Sequence, residues 1–273
     1  MTSPALRRIF LVGFCLSGLA TLQAEETSNA EESDQGLRLL FIGNSLTYTN
    51  DLPEMLGALL RGSGVAVSEI ESEARPDFGL QDHWSSKTSM RTLGSFDWDV
   101  VSIQQGPSAT QGRPSLLEFS ELFATEIRKS GGEPALYMVW PSAARLRDFP
   151  GVVDSYQTAA LEVDGLLFPV GAAWVAAWLA DPKIPLYGRD GFHPSRLGTY
   201  LAALVMFQQL SGCDPRNLPA SIPGLRKSDP VDPEHARILQ QAAFESNNAL
   251  PENLRFRSES CPEKAEPEQA KKE

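Results

Sequence analysis

Two hydrophobic rhythms alternate along the chain. Short, nearly unbroken apolar runs occur at 37–43 (LRLLFIG), 65–72 (VAVSEIES), 98–105 (WDVVSIQQ), 134–141 (PALYMVWP) and 166–171 (LLFPVG), and they read as strands. Between them, apolar residues recur every three or four positions, the spacing of a helix with one buried face. At 52–62, Leu52, Met55, Leu56, Leu59 and Leu60 share a face, and Gly62 is a stop signal. The segments 116–132 and 152–165 follow the same rule, the first closed by two glycines. The longest such stretch, 194–212, places Leu197, Tyr200, Leu201, Leu204, Val205 and Met206 at helical intervals. Pro194 opens it where a first-turn proline is tolerated, and Gly212 closes it. A further helix is expected from Asp232 to Asn248. Strands alternating with helices predict right-handed crossovers and an α/β fold whose mostly parallel sheet is covered on both faces. The unbroken apolar strands fit burial on both sides. No period repeats along the sequence, which argues against a solenoid or propeller.

The first strand ends in Gly43-Asn44-Ser45. In open α/β sheets, ligands bind beyond the carboxyl ends of the strands. The pattern therefore puts a hydroxyl at that rim, either as part of a plain turn or as a nucleophile.

The two ends of the chain lack both rhythms. Arg7 and Arg8, an apolar stretch from Ile9 to Leu19 and small or polar residues up to Ala24 read as a secretory signal peptide over 1–24. The stretch is shorter than the ~20 residues that span a bilayer, so no stable membrane insertion is expected after cleavage. Phe14 before Cys15 is bulky where a lipoprotein signal wants a small residue. Residues 25–36 read as a flexible acidic leader, residues 37–257 as the folded domain and 258–273 as a disordered polar tail. Within the domain, 213–257 carries no legible chemistry.

The whole chain has 273 residues, 42% of them apolar, and a net charge of −11. Removing the signal lowers Lys+Arg from 24 to 22 and leaves Asp+Glu at 35, for a mature charge of −13. Such a protein repels phosphate backbones, so nucleic acid is not an expected partner. Export is expected, to a periplasmic or extracellular space. Cleavage leaves Cys213 and Cys261, which could pair in an oxidising compartment. Oligomeric state is not legible.

Candidate chemistry centres on three histidines: His83, His193 and His235. None of the spacings HxH, HxxxH or HExxH occurs, and no phosphate-cradling GxxxxGK[ST] loop is present. His193 stands in "DGFHPS", three residues after Asp190. In a turn, that carboxylate can bend back to the imidazole Nδ1–H and leave Nε2 free to take a proton. Alone, the stretch reads rather as an Asp-Gly turn leading into a helix. His83 reads as a structural or pocket-wall residue, and His235 as a solvated one at a helix start. Trp84, Trp140, Trp174 and Trp178 could line a sugar site or belong to the core.

Together, "FIGNSLT" after the first strand, the glycine block "DFGLQDHW", a block after the third strand and "DGFHPS" resemble the SGNH/GDSL hydrolase superfamily over about residues 37–212. The order Ser, Asp, His matches that family. The resemblance implies a three-layer α/β/α sandwich with a flavodoxin-like, mostly parallel five-stranded sheet. It implies Ser45 as nucleophile, His193 as base and Asp190 as its orienter. It also implies an oxyanion hole from the N–H groups of Ser45 and Gly79 and a side-chain amide, with no cofactor and no metal. The family places an asparagine after the third strand. Here "SIQQGPSA" has none, and Ser108 falls in its place when Gly106 is laid on the family glycine, so Gln104 or Gln105 is the candidate amide donor.

The expected function is an exported serine esterase acting on a small-molecule or glycan ester, with O-acetyl carbohydrate favoured by the QG-type block. Two alternatives remain open at this point: an acyltransferase on the same triad, and a non-catalytic carbohydrate-binding protein of the same fold.

Overall fold

The computed structural model describes residues 36–222, 229–256 and 261–262. The signal peptide and all of the acidic leader except Gly36 lie outside them. Five strands form one parallel sheet: β1 (Leu37–Gly43), β2 (Val67–Ala74), β3 (Val100–Ile103), β4 (Glu133–Tyr137) and β5 (Leu166–Phe168). Their spatial order is β2-β1-β3-β4-β5, the doubly wound order of flavodoxin-like folds. Central β1 pairs on both sides, with Phe41 opposite Ser72 of β2 and opposite Ser102 of β3. Leu39, Leu40, Phe41 and Ile42 are buried because helices cover both faces of this strand.

Nine α-helices occur among the described residues: α1 (Ser45–Tyr48), α2 (Leu52–Gly62), α3 (Leu80–Ser85), α4 (Lys87–Leu93), α5 (Arg113–Lys129), α6 (Phe149–Glu162), α7 (Val170–Ala180), α8 (Arg196–Ser211) and α9 (Pro233–Asn248). They flank the sheet in two groups. Helix α2 packs on α8, and α8 on α9, whereas α5 packs on α3 and α6. The apolar stripe read in 52–62 is the buried face of α2. Helix α8 starts two residues later than its periodicity predicts. Ser195 caps it by accepting from Gly198 N–H, and Pro194 stays outside, in a bridge with Tyr187. A short antiparallel pair, β6 (Ser221–Ile222) with β7 (Asp229–Pro230), precedes α9.

Cys213 and Cys261 form a disulfide with their Cα atoms 4.6 Å apart. The segment expected as a disordered tail is thus anchored at Cys261, while most of it lies outside the described residues. Among the described residues, no helix is long and apolar enough to cross a membrane.

Candidate active site

The site begins where β1 runs out. Asn44 is extended (φ −133°, ψ −154°) and caps α1 through its side-chain oxygen, which accepts from Leu46 N–H at 3.1 Å. Helix α1 opens on Ser45, so the Ser45 N–H has no acceptor within the helix. Gly43 is the one residue that fits before this turn. A Cβ there would overlap Thr47 Oγ1 and Gln104 Oε1.

The second part is the loop between α7 and α8. Gly191 has φ +68°, the left-handed region that favours glycine. The turn brings the Asp190 carboxylate onto its own backbone, where Oδ1 accepts from Phe192 N–H at 2.9 Å and His193 N–H at 3.0 Å. Its other oxygen, Oδ2, lies 2.5 Å from His193 Nδ1. His193 Nε2 in turn lies 2.8 Å from Ser45 Oγ, across 148 residues of sequence. The hydrogen bond from His193, followed by that from Phe192 N–H, holds the Asp190 carboxyl at about 2, below its ordinary 3.8. An ionised carboxylate only accepts, so Nδ1 carries the proton, and Nε2 is the acceptor for the Ser45 hydroxyl. The loop is braced from outside: Trp140 Nε1–H donates to Phe192 O at 3.0 Å, and Ala143 N–H donates to Gly191 O at 2.7 Å.

The third part, the loop after β3, is bonded differently from the family expectation. Gln104 is fully buried. Its Oε1 accepts from Asn44 N–H and from Thr47 Oγ1, both at 2.9 Å, and its NH₂ donates to Gln105 O. The Gln105 NH₂ donates to Gly112 O at 2.8 Å and to Ser108 Oγ at 3.2 Å, while its Oε1 accepts from Leu80 N–H at 3.3 Å. Both glutamine NH₂ groups therefore have partners inside the protein. Gly79 N–H donates to Asp82 Oδ2 at 2.8 Å at the start of α3. Ser108, the residue in the asparagine's place, has φ +55° and donates its hydroxyl to Gly106 O at 2.9 Å.

One supporting residue was invisible in the sequence. Tyr156 is buried on α6, and its hydroxyl donates to Gln105 O at 2.7 Å and Gly106 O at 3.0 Å. It lies about fifty residues from the loop it ties down, and no local spacing signals such a contact. His83 is fully buried under the serine turn, with Nε2 at 2.7 Å from Gly43 O and Nδ1 at 2.8 Å from Ser89 Oγ. A carbonyl only accepts, so Nε2 carries the proton and Ser89 donates to Nδ1. Burial pushes this imidazole below the ordinary histidine value and keeps it neutral. His235 sits at the start of α9, 4.0 Å from Asp181. Trp140 and Trp174 are fully buried and stacked 3.8 Å apart, so they belong to the core. Trp84 packs edge-on against Phe123, and Trp178 borders an outer apolar depression. Among the described residues, no group of three or more His, Cys, Asp or Glu side chains is placed to hold a metal ion.

No family model matches the sequence, and no curated protein matches it. Solved structures do match. A protein of Slackia heliotrinireducens assigned to the SGNH hydrolases is 26% identical, with a TM-score of 0.55 over 63% of this chain and 98% of its own. A DUF4886 family protein from Bacteroides uniformis is 20% identical, with a TM-score of 0.63 over 78% of this chain and 95% of its own. A lipase/acylhydrolase from Enterococcus faecalis is 14% identical, with a TM-score of 0.53 over 64% of this chain and 96% of its own.

Proposed function

We propose that the chain is an esterase of the SGNH/GDSL hydrolase type, an exported serine enzyme that removes O-acetyl groups from carbohydrate, a reading its structural likeness to SGNH and GDSL hydrolases supports. The observation that carries the reading is the hydrogen-bonded chain Ser45 Oγ–His193 Nε2, His193 Nδ1–Asp190 Oδ2. Ser45 Oγ attacks the ester carbonyl carbon while His193 Nε2 takes its proton. The carbon–oxygen bond to the alcohol then breaks, and the same proton passes to the leaving oxygen. A water, deprotonated by His193, cleaves the acyl-enzyme, releasing acetate and restoring Ser45. Asp190 holds the imidazole in the required tautomer and balances its charge when protonated.

The tetrahedral oxyanion needs preorganised donors, each worth ~10²–10³ in rate. We assign one to Ser45 N–H. Gly79 N–H becomes available when the carbonyl oxygen replaces Asp82 Oδ2, a partner in an exposed contact. Gln104 acts by position: its Oε1 fixes the Asn44–Thr47 turn that carries the nucleophile. Gln105 holds the neighbouring loop through Gly112 and Leu80.

Export is supported by the signal-like N-terminus and by the Cys213–Cys261 disulfide, which persists in oxidising compartments. The test is hydrolysis of p-nitrophenyl acetate and of acetylated xylan by the mature chain and by Ser45→Ala. The expected result is acetate release that the substitution abolishes. Acetate release unaffected by Ser45→Ala, or none from a folded wild-type chain, would overturn the reading.

A further inference from the structure

Beside the triad lies a cavity of about 290 Å³, between the loop after β3 and the segment after β4. Ser108, Thr110, Ser142, Arg145, Asp148 and Phe192 contribute to its lining. Phe192 directly precedes His193, with the two rings 5.3 Å apart, and its backbone is held at both ends by Asp190 and Trp140. The cavity therefore adjoins the imidazole side of the site. In acyl transfer, the leaving oxygen receives its proton from that imidazole, so the alcohol part of the ester sits on that side.

The lining decides what kind of alcohol fits. Arg145 Nε meets Asp148 Oδ2 at 2.6 Å, with the carboxylate largely covered and the guanidinium largely exposed. Arg147 Nε also stands 3.9 Å from Asp148 Oδ1, and these contacts still leave most of the five Arg145 guanidinium N–H donors and carboxylate lone pairs of Asp148 for a ligand. A hydrocarbon chain would desolvate this pair and return nothing, which is costly for charged groups. A group bearing adjacent hydroxyls accepts from Arg145 and donates to Asp148 at once, and lays its C–H face on the Phe192 ring. The volume is near the lower bound of ligand pockets, ~300 Å³, which suits one sugar ring.

We propose that Arg145, Asp148 and Phe192 form a subsite for the leaving sugar and set the enzyme's preference for polyhydroxy alcohols. The proposal rests on the esterase reading above. It is tested with wild type, Arg145→Gln and Asp148→Asn, comparing kcat/KM on methyl 3-O-acetyl-β-D-xylopyranoside with kcat/KM on ethyl acetate. The expected result is a fall of roughly 10- to 100-fold in the ratio of the two, as for loss of hydrogen bonds to charged groups. Methyl β-D-xylopyranoside should also inhibit wild-type hydrolysis of p-nitrophenyl acetate competitively, and inhibit Arg145→Gln more weakly. Ester hydrolysis with an unchanged ratio in both variants, or with no inhibition by the xyloside in wild type, overturns the subsite and leaves the esterase reading intact. A wild type that cleaves neither ester overturns both.

Discussion

Two loops meet the Ser45 turn, and their contacts differ in range. In the loop 188–195, the carboxylate, its two backbone donors and the imidazole lie within three residues of one another. In the loop 104–112, Gln104 reaches back about sixty residues to Asn44 and Thr47, and Gln105 is held by Leu80 and Tyr156. The first loop sets its carboxylate–imidazole pair by its own spacing and is braced from outside by Trp140 and Ala143, whereas the second fixes the nucleophile turn through contacts with distant parts of the fold. The first supplies chemistry and the second supplies position, so substitutions in them should separate rate from stability.

The sharpest break of that comparison is Asp190→Asn, which keeps shape and removes the charge. It should lower kcat by ~10²–10⁴ with a small change in Tm, because the amide stabilises the wrong imidazole tautomer. A large loss of Tm with kcat preserved would make Asp190 a structural residue. The Asp190 carboxyl is depressed to about 2, so its stabilising contribution is present above the ordinary carboxylate value and is lost only as pH falls through about 2.

The longest covalent tie should behave in the opposite way. The disulfide spans a sequence separation of 48, for which the loop-entropy account gives about 4 kcal/mol. Cys213→Ser combined with Cys261→Ser should lower Tm markedly in a melting scan and leave kcat near wild type. A loss of kcat at temperatures where the variant stays folded would link the tail to the site.

Gln104→Ala tests the position-supplying loop itself. It strips the acceptor from buried Asn44 N–H and Thr47 Oγ1, at a cost of about 1–3 kcal/mol each at most. Stability and kcat should fall together. A loss of 10²–10³ in kcat without any loss of Tm, the signature of a missing oxyanion donor, would instead put the amide on the reacting oxygen.

The smallest effect belongs to His83. Burial lowers its protonation equilibrium in the folded state. The unfolded chain then binds the proton more readily, so stability holds above the ordinary value near 6.5 and declines as pH falls below it. Wild type should lose Tm more steeply than His83→Gln between neutral and mildly acid pH, and parallel curves would contradict the buried neutral imidazole.

The parallel sheet and most of its helices were legible because each rests on short-range pattern, whereas the roles of Ser45, His193 and Asp190 came from the resemblance of their sequence blocks to the SGNH/GDSL superfamily. Helix α7 was not legible. Its sequence, VGAAWVAAWLA, is apolar on every side and shows no amphipathic period, so only the preceding strand was read. Strand β2 begins two residues later than expected and carries Glu69, Glu71 and Glu73 on alternate positions, as an edge strand tolerates. The roles of Gln104, Gln105 and Tyr156 depend on which distant groups need partners, and that is decided only by packing.

The most direct test of the account is mass spectrometry of the folded mature chain after reaction with a fluorophosphonate probe, beside His193→Ala. The account predicts one adduct, on the peptide containing Ser45, formed in wild type and suppressed without the imidazole. A folded wild-type chain that forms no adduct, or forms it on another serine, would contradict Ser45 as the nucleophile.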